Sequence, residues 1–127
     1  MSVKNTQSDR GRIEEVLLTS PIIFNGNSIL KIRIEIDHIN FGINKKTRKL
    51  NLKRRTNFTV NDVIKFLRLL HNEDIEPQER KGSTLKFAVR INCPVQGRFF
   101  DKEFLVIFDT FETKKTELHT ITIVPGW

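Results

Sequence analysis

The sequence predicts an α+β domain: one or two helices packed on a curled, mainly antiparallel β-sheet of four to five strands. Two observations carry that expectation. The first is a capping signal, Thr59-Val60-Asn61-Asp62, placed ahead of an apolar stripe at helical spacing. The second is a set of period-two segments, one before that helix and three in succession after it. Their connections are short, and short connections favour an antiparallel meander.

Taken in order, residues 1–11 read as a flexible polar tail and residues 12–127 as a single α+β domain. A chain of 127 residues is large enough for one hydrophobic core. Residues 12–19 carry apolar positions at Ile13, Val16 and Leu17, which suits a short helix ended by Pro21. Asn25-Gly26-Asn27 is a turn signal. Residues 29–37 then alternate, with Ile32, Ile34 and Ile36 on one face and Lys31, Arg33, Glu35 and Asp37 on the other. That pattern is a half-buried strand. Residues 48–53 alternate weakly and suit a lysine-bearing edge.

The capped helix is expected over 60–72, with Val60, Val63, Ile64, Leu67 and Leu70 as its apolar stripe. Thr59 is its N-cap, and the Asp62 carboxylate reaches back to the orphan amides of the first turn. After the turn Lys81-Gly82-Ser83 come strands at 85–92, 98–109 and 117–124. The last of these reads as a central strand, because both of its faces are mixed.

The charge is localised. Lys45, Lys46, Arg48, Lys49, Lys53, Arg54 and Arg55 equal the whole net charge of +7, and no acidic residue stands between Asp37 and Asp62. The other basic and acidic residues cancel. A single-sign segment of this kind attracts and orients a polyanion, so RNA is the expected partner and those residues the expected phosphate-binding set. A solvated basic loop is the plainer alternative.

Several classes are disfavoured by composition. Cys93 is the only cysteine, which leaves no intrachain disulfide or cysteine-based metal cluster, and beside Pro94 it reads as a buried filler. No apolar run approaches the ~18 residues of a membrane span. The start lacks an apolar signal core, so the expected location is the cytoplasm of a producing or a target cell. The carboxylates are scattered and the six glycines dispersed, which leaves no metal motif or phosphate loop, and no cofactor is expected.

Three histidines can be weighed singly. His71, in the last helical turn, reads as structural or merely exposed. His38 follows the isoleucine strand, precedes the basic segment and, by parity, continues the Ile32/Ile34/Ile36 face. His119 lies in Leu118-His119-Thr120-Ile121-Thr122, where parity groups it with Ile121 and puts Thr120 and Thr122 on the other side. Each alone suits a structural role. Together with a basic segment they suit RNA cleavage, in which the 2′-hydroxyl attacks and the protein supplies a base, an acid and cations. Histidine serves both proton roles, its unperturbed pKa being about 6.5. Arginine grips phosphate with a permanently charged fork.

A histidine ahead of a basic segment, the capped Thr-Val-Asn-Asp-Val-Ile-x-x-Leu helix and a meander closing on His-Thr-Ile-Thr-Ile-Val-Pro-Gly together resemble the RelE/EndoU-like superfamily of small bacterial ribonuclease toxins. The resemblance covers roughly residues 29–126. It implies a metal-independent endoribonuclease toxin, of toxin–antitoxin or contact-delivered type, held by a cognate antitoxin or immunity protein with an acidic surface. It also implies a catalytic set of His38, His119, Arg55 (or Arg54 as the phosphate holder) and Thr122. Many relatives end on a catalytic Tyr, and this chain has none. A threonine hydroxyl is too weakly acidic to replace it, so His119 would carry that step. The competing expectation is a non-catalytic nucleic-acid-binding or protein-interaction module that uses the basic segment 45–55.

Overall fold

A computed structural model describes residues 2–8, 11–42 and 56–125, the first of these stretches by its backbone alone. Among the described residues seven strands form one sheet: β1 (Ser2–Ser8), β2 (Gly11–Phe24), β3 (Asn27–Ile34), β4 (Glu79–Lys81), β5 (Thr84–Asn92), β6 (Glu103–Phe111) and β7 (Glu117–Pro125). Helices α1 (Ile36–Phe41) and α2 (Val60–Arg68) lie between β3 and β4 in the chain. The sheet order is β1-β2-β3-β7-β6-β5-β4. Every pairing is antiparallel except β3 with β7, so two meanders are joined by one parallel seam. The α+β class and mainly antiparallel pairing agree with the expectation. The sheet has more strands than the four to five expected.

The additional strands lie in the N-terminal part and at the short edge β4. Ser2–Ser8, in the stretch expected as a polar tail, pair along β2 from Leu17 to Gly11. Residues 12–19, expected as a helix, belong to β2 instead. Their buried positions Glu14, Val16 and Leu18 continue to Ile22 and Phe24 with strand parity. The Ile13/Val16/Leu17 spacing imitates a helix because Ile13 is buried on the face away from the main core cluster. Pro21 does not end an element. It stands where the β2–β3 register shifts between Leu17 and Ile22, beyond the last β1 partner, so its missing N–H breaks no ladder bond on that outer edge.

Helix α2 forms where the capping box predicts. Thr59 Oγ1 accepts the Asp62 amide at 3.1 Å, and Asp62 Oδ2 accepts the Thr59 amide at 2.9 Å. The helix ends at Arg68 rather than 72, and the residues that follow turn back onto β2. There the Ile23 amide donates to His71 Nδ1 at 3.0 Å and the Asn72 amide to Ile23 O at 2.7 Å. His71 is thus structural. The strand expected at 29–37 stops at Ile34, so His38 lies in α1 and not on the strand face with Ile32. The strand expected at 98–109 begins at Glu103.

One face of the sheet carries the core. Val63, Ile64, Phe66 and Leu67 of α2 pack with Val16, Ile32, Phe87, Phe104, Val106 and Phe108 from the strands. Phenylalanines set its geometry: Phe24 meets Phe87 edge-on at 5.1 Å, and Phe58 meets Phe66 edge-on at 5.3 Å. Most of the phenylalanines are therefore spent on packing. Among the described residues no helix is long and apolar enough to cross a membrane.

Cys93 is 1 % exposed and belongs to this core. Burial, reinforced by the nearby Asp62 and Asp101 charges, pushes its thiol above the usual range, against the opposing hydrogen bond to Val95 O. A raised value means less thiolate, and the thiolate is the nucleophile. Native protein at pH 8 should therefore label at Cys93 far more slowly with iodoacetamide than unfolded protein does. Mass spectrometry with and without guanidinium reads this directly, and rapid labelling of folded protein would contradict the buried placement.

Candidate active site

The site is built where β3 runs out into α1 beside β7. Glu35 is the pivot. Its amide donates to Thr120 O at 3.0 Å, extending the parallel seam, while its carbonyl accepts the Ile39 amide at 2.9 Å and starts α1. Its side chain reaches His119, with Glu35 Oε1 3.1 Å from His119 Nε2. Three residues on, His38 Nε2 lies 3.1 Å from Thr122 Oγ1. Two bridges therefore tie residues 35–38 to residues 119–122. His38, His119 and Thr122, named from sequence, are brought together, and Glu35 joins them.

Parity alone would separate His119 from Thr122. The β6–β7 register resolves this: Asp109 pairs with His119 and Phe108 with Thr120, but Ile107 pairs with Thr122. One extra residue, Ile121, is absorbed in β7 as a bulge, and the side chains beyond it change face. Thr120, opposite the core residue Phe108, points inward and is fully buried. His119 and Thr122 share the outer face.

That outer face carries a row of charge across the strands. Cross-strand partners run Glu15, Arg33, His119, Asp109, Lys86 and Glu79. Within it, Glu15 with Arg33, Asp109 with Lys86 and Lys86 with Glu79 are directly opposed pairs of unlike sign, which favour the pairing. Arg33 sits beside His119 across the parallel seam. Arg33 Nε is 3.3 Å from Glu15 Oε1, an ion-pair separation, yet it is buried and its N–H is not aligned for a hydrogen bond.

Helix α1 is strapped to the sheet from the other side. Asp37 Oδ2 accepts the Arg12 amide at 2.8 Å. The approach needs glycine at position 11, because a Cβ there would stand 2.7 Å from Asp37 Cβ and the backbone has φ +96°. This contact holds the turn of α1 that presents His38.

The roots of the basic segment are also fixed. Gly42 closes α1 in the left-handed conformation and donates to His38 O at 2.8 Å. Asn40, 6 % exposed, binds the returning chain. Its Nδ2 donates to Phe58 O at 2.8 Å, while its Oδ1 accepts from the Phe58 amide at 2.9 Å and from Thr56 Oγ1 at 2.7 Å. The chain thus leaves at Gly42 and returns at Thr56 against the same residue, two positions after His38. Lys45, Lys46, Arg48, Lys49, Lys53, Arg54 and Arg55 lie outside the described residues.

Glu35, Arg33 and Asn40 escaped the sequence reading as site residues. Glu35 and Arg33 had a signal, since they share the polar face of the isoleucine strand that leads to His38. Asn40 had none, because its partners lie 16 to 18 residues away. Among the described residues no group of three or more His, Cys, Asp or Glu is arranged to hold a metal ion. No protein-family model, curated protein or solved structure matches the chain.

The arrangement can move protons. An ionised Glu35 offers only acceptors, so His119 carries its proton on Nε2 and, when neutral, its lone pair on Nδ1. Among the described residues His119 Nδ1 meets no partner. A carboxylate holding one ring nitrogen while the other is available is the orientation a general base needs.

Proposed function

We propose that the protein is a metal-independent endoribonuclease of the toxin type, cleaving RNA through attack by its own 2′-hydroxyl. The observation that carries this reading is the double bridge, His38 to Thr122 and His119 to Glu35, built between the same two segments beside the roots of the basic segment. His119 takes the 2′-hydroxyl proton at Nδ1. His38 returns a proton to the departing 5′-oxygen. Arg33, adjacent to His119, faces the charge that develops on phosphorus, and the basic segment with Arg54 and Arg55 draws in the RNA backbone. Thr122 orients His38 and does no proton chemistry. The products are a 2′,3′-cyclic phosphate and a free 5′-hydroxyl, which balances the one proton taken against the one given.

The test is direct. Purified protein incubated with a mixed-sequence RNA and excess EDTA should yield fragments ending in cyclic phosphate. RNA that is bound in a salt-dependent manner yet remains intact would replace this reading with the non-catalytic binding module. For the toxin aspect, expression should arrest growth unless an acidic partner protein is produced alongside it.

A further inference from the structure

A concavity of about 460 Å³ opens beside the start of α2. It falls within the ~300–1,000 Å³ typical of small-ligand sites. Nothing in the proposed cleavage chemistry uses it. Its walls combine two aromatic rings, Phe58 and Phe99, with the polar side chains of Asn57, Asp62, Gln96 and Arg98. The Arg98 guanidinium lies 4.4 Å from the centre of the Phe99 ring, forming a flat cationic surface of the kind on which nucleobases stack.

The polar groups are unevenly committed. Asp62 Oδ2 accepts the Thr59 amide, which fixes the carboxylate in place, but each carboxylate oxygen has two lone pairs. Its Oδ1 and the side-chain amides of Asn57 and Gln96 meet no hydrogen-bond partner among the described residues. A carboxylate fixed by its helix cap, in the same wall as two uncommitted side-chain amides, favours a particular edge. Guanine is the one RNA base whose pairing edge offers two adjacent donors, N1–H and the 2-amino group, next to an acceptor, O6. Adenine and cytosine would point a ring-nitrogen lone pair at the carboxylate, and uracil offers a single donor.

We propose that this pocket seats a guanine base of RNA, with Asp62 taking its two donors, an amide of Asn57 or Gln96 reaching O6, and Phe99 with Arg98 covering its face. The location fits this use. Asn57 and Phe58 directly follow Thr56, the downstream root of the basic segment, while His38 stands at the upstream root. Both flanks of the basic segment thus stand near a candidate RNA contact, with His38 two residues before Asn40 and Asn57 next to Thr56, which Asn40 holds. The inference rests on the ribonuclease reading for RNA as the source of the base, but the pocket's selectivity is independent of cleavage.

Two measurements separate the possibilities. In calorimetry, guanosine 3′-monophosphate should bind at least about tenfold more tightly than the adenosine, cytidine and uridine monophosphates, the span one well-made polar pair commands. An oligoribonucleotide with one guanosine should bind more tightly still. Asp62→Asn should abolish the guanine preference. Gln96→Ala, an exposed residue outside every helix and strand, should weaken binding several-fold with the fold intact. If RNA is cleaved, cuts should cluster beside guanosine and disperse in Asp62→Asn. Equal binding of all four mononucleotides, or guanine selection that Gln96→Ala and Asp62→Asn both leave unchanged, overturns the pocket. Selection for the free mononucleotide alone overturns RNA as its source. Guanine selection with every RNA left intact supports the pocket and sinks the ribonuclease reading.

Discussion

His119→Ala should lower RNA cleavage in the presence of chelator by about 10²- to 10⁴-fold, the range a positioned proton-transfer group contributes. The size of the effect follows from geometry. The imidazole is held by a carboxylate that is itself 5 % exposed, and Arg33 stands directly across the parallel seam. No other described side chain on that face both carries a titratable ring and has a nitrogen with no partner. Removing the ring also takes a donor from Glu35, so some loss of stability is expected alongside. Rates must therefore be compared well below the melting midpoint of both proteins. Glu35→Gln provides the control: it keeps an oxygen for His119 Nε2 but removes the charge. Its cleavage should fall by a smaller factor, confined to kcat, because Glu35 orients His119 and does not touch RNA. Undiminished cleavage by folded His119→Ala would eliminate the site as drawn.

What the sequence conveyed depended on whether the information was local. Thr59 and Asp62 are three residues apart and satisfy each other's amides, so the start of α2 was legible from that spacing alone. Strands β5 and β7 were legible as extended segments, and their bounds agree with the reading to within a residue at each end. The N-terminal part failed because β2 buries both of its faces in part: Val16 faces the main core while Ile13 is covered on the other side. A strand with apolar residues on both faces loses its period-two signature and can imitate a helix.

The same distinction separates the site residues. His38 and His119 were found because histidines are rare in this chain. Their relation was not legible, since it depends on the bulge at Ile121. A bulge is a property of two strands in register, and strict alternation within β7 gives the opposite assignment of Thr122. Glu35 could be placed on a face but not beside His119, because that requires β3 and β7 to be parallel neighbours despite lying far apart in the chain. Long-range seams of this kind leave no mark on either strand alone.

Asn40→Ala should cost about 3 kcal/mol of stability and also weaken RNA binding, although Asn40 contacts no substrate. The mutation strands the Phe58 amide and the Phe58 carbonyl and leaves the Thr56 hydroxyl only its longer contact to Ile39 O at 3.4 Å, and an unsatisfied buried polar group costs about 1–3 kcal/mol. Partial rehydration keeps the total below the sum, and the backbone bond from the Thr56 amide to Asn40 O remains. Thr56→Val removes the hydroxyl alone and should cost about 1 kcal/mol. Because that bond is already lost in Asn40→Ala, the double variant should be little worse than the single one, which is the signature of a shared partner. Binding falls for a different reason: Asn40 fixes Thr56 and Phe58 beside Gly42, and without that anchor these two flanking points separate and must be brought together again when RNA binds. Urea midpoints at constant slope test the first part, and titration of Asn40→Ala with RNA at fixed salt tests the second. A variant that melts early yet binds RNA as tightly as the parent would show that the anchor serves the fold alone.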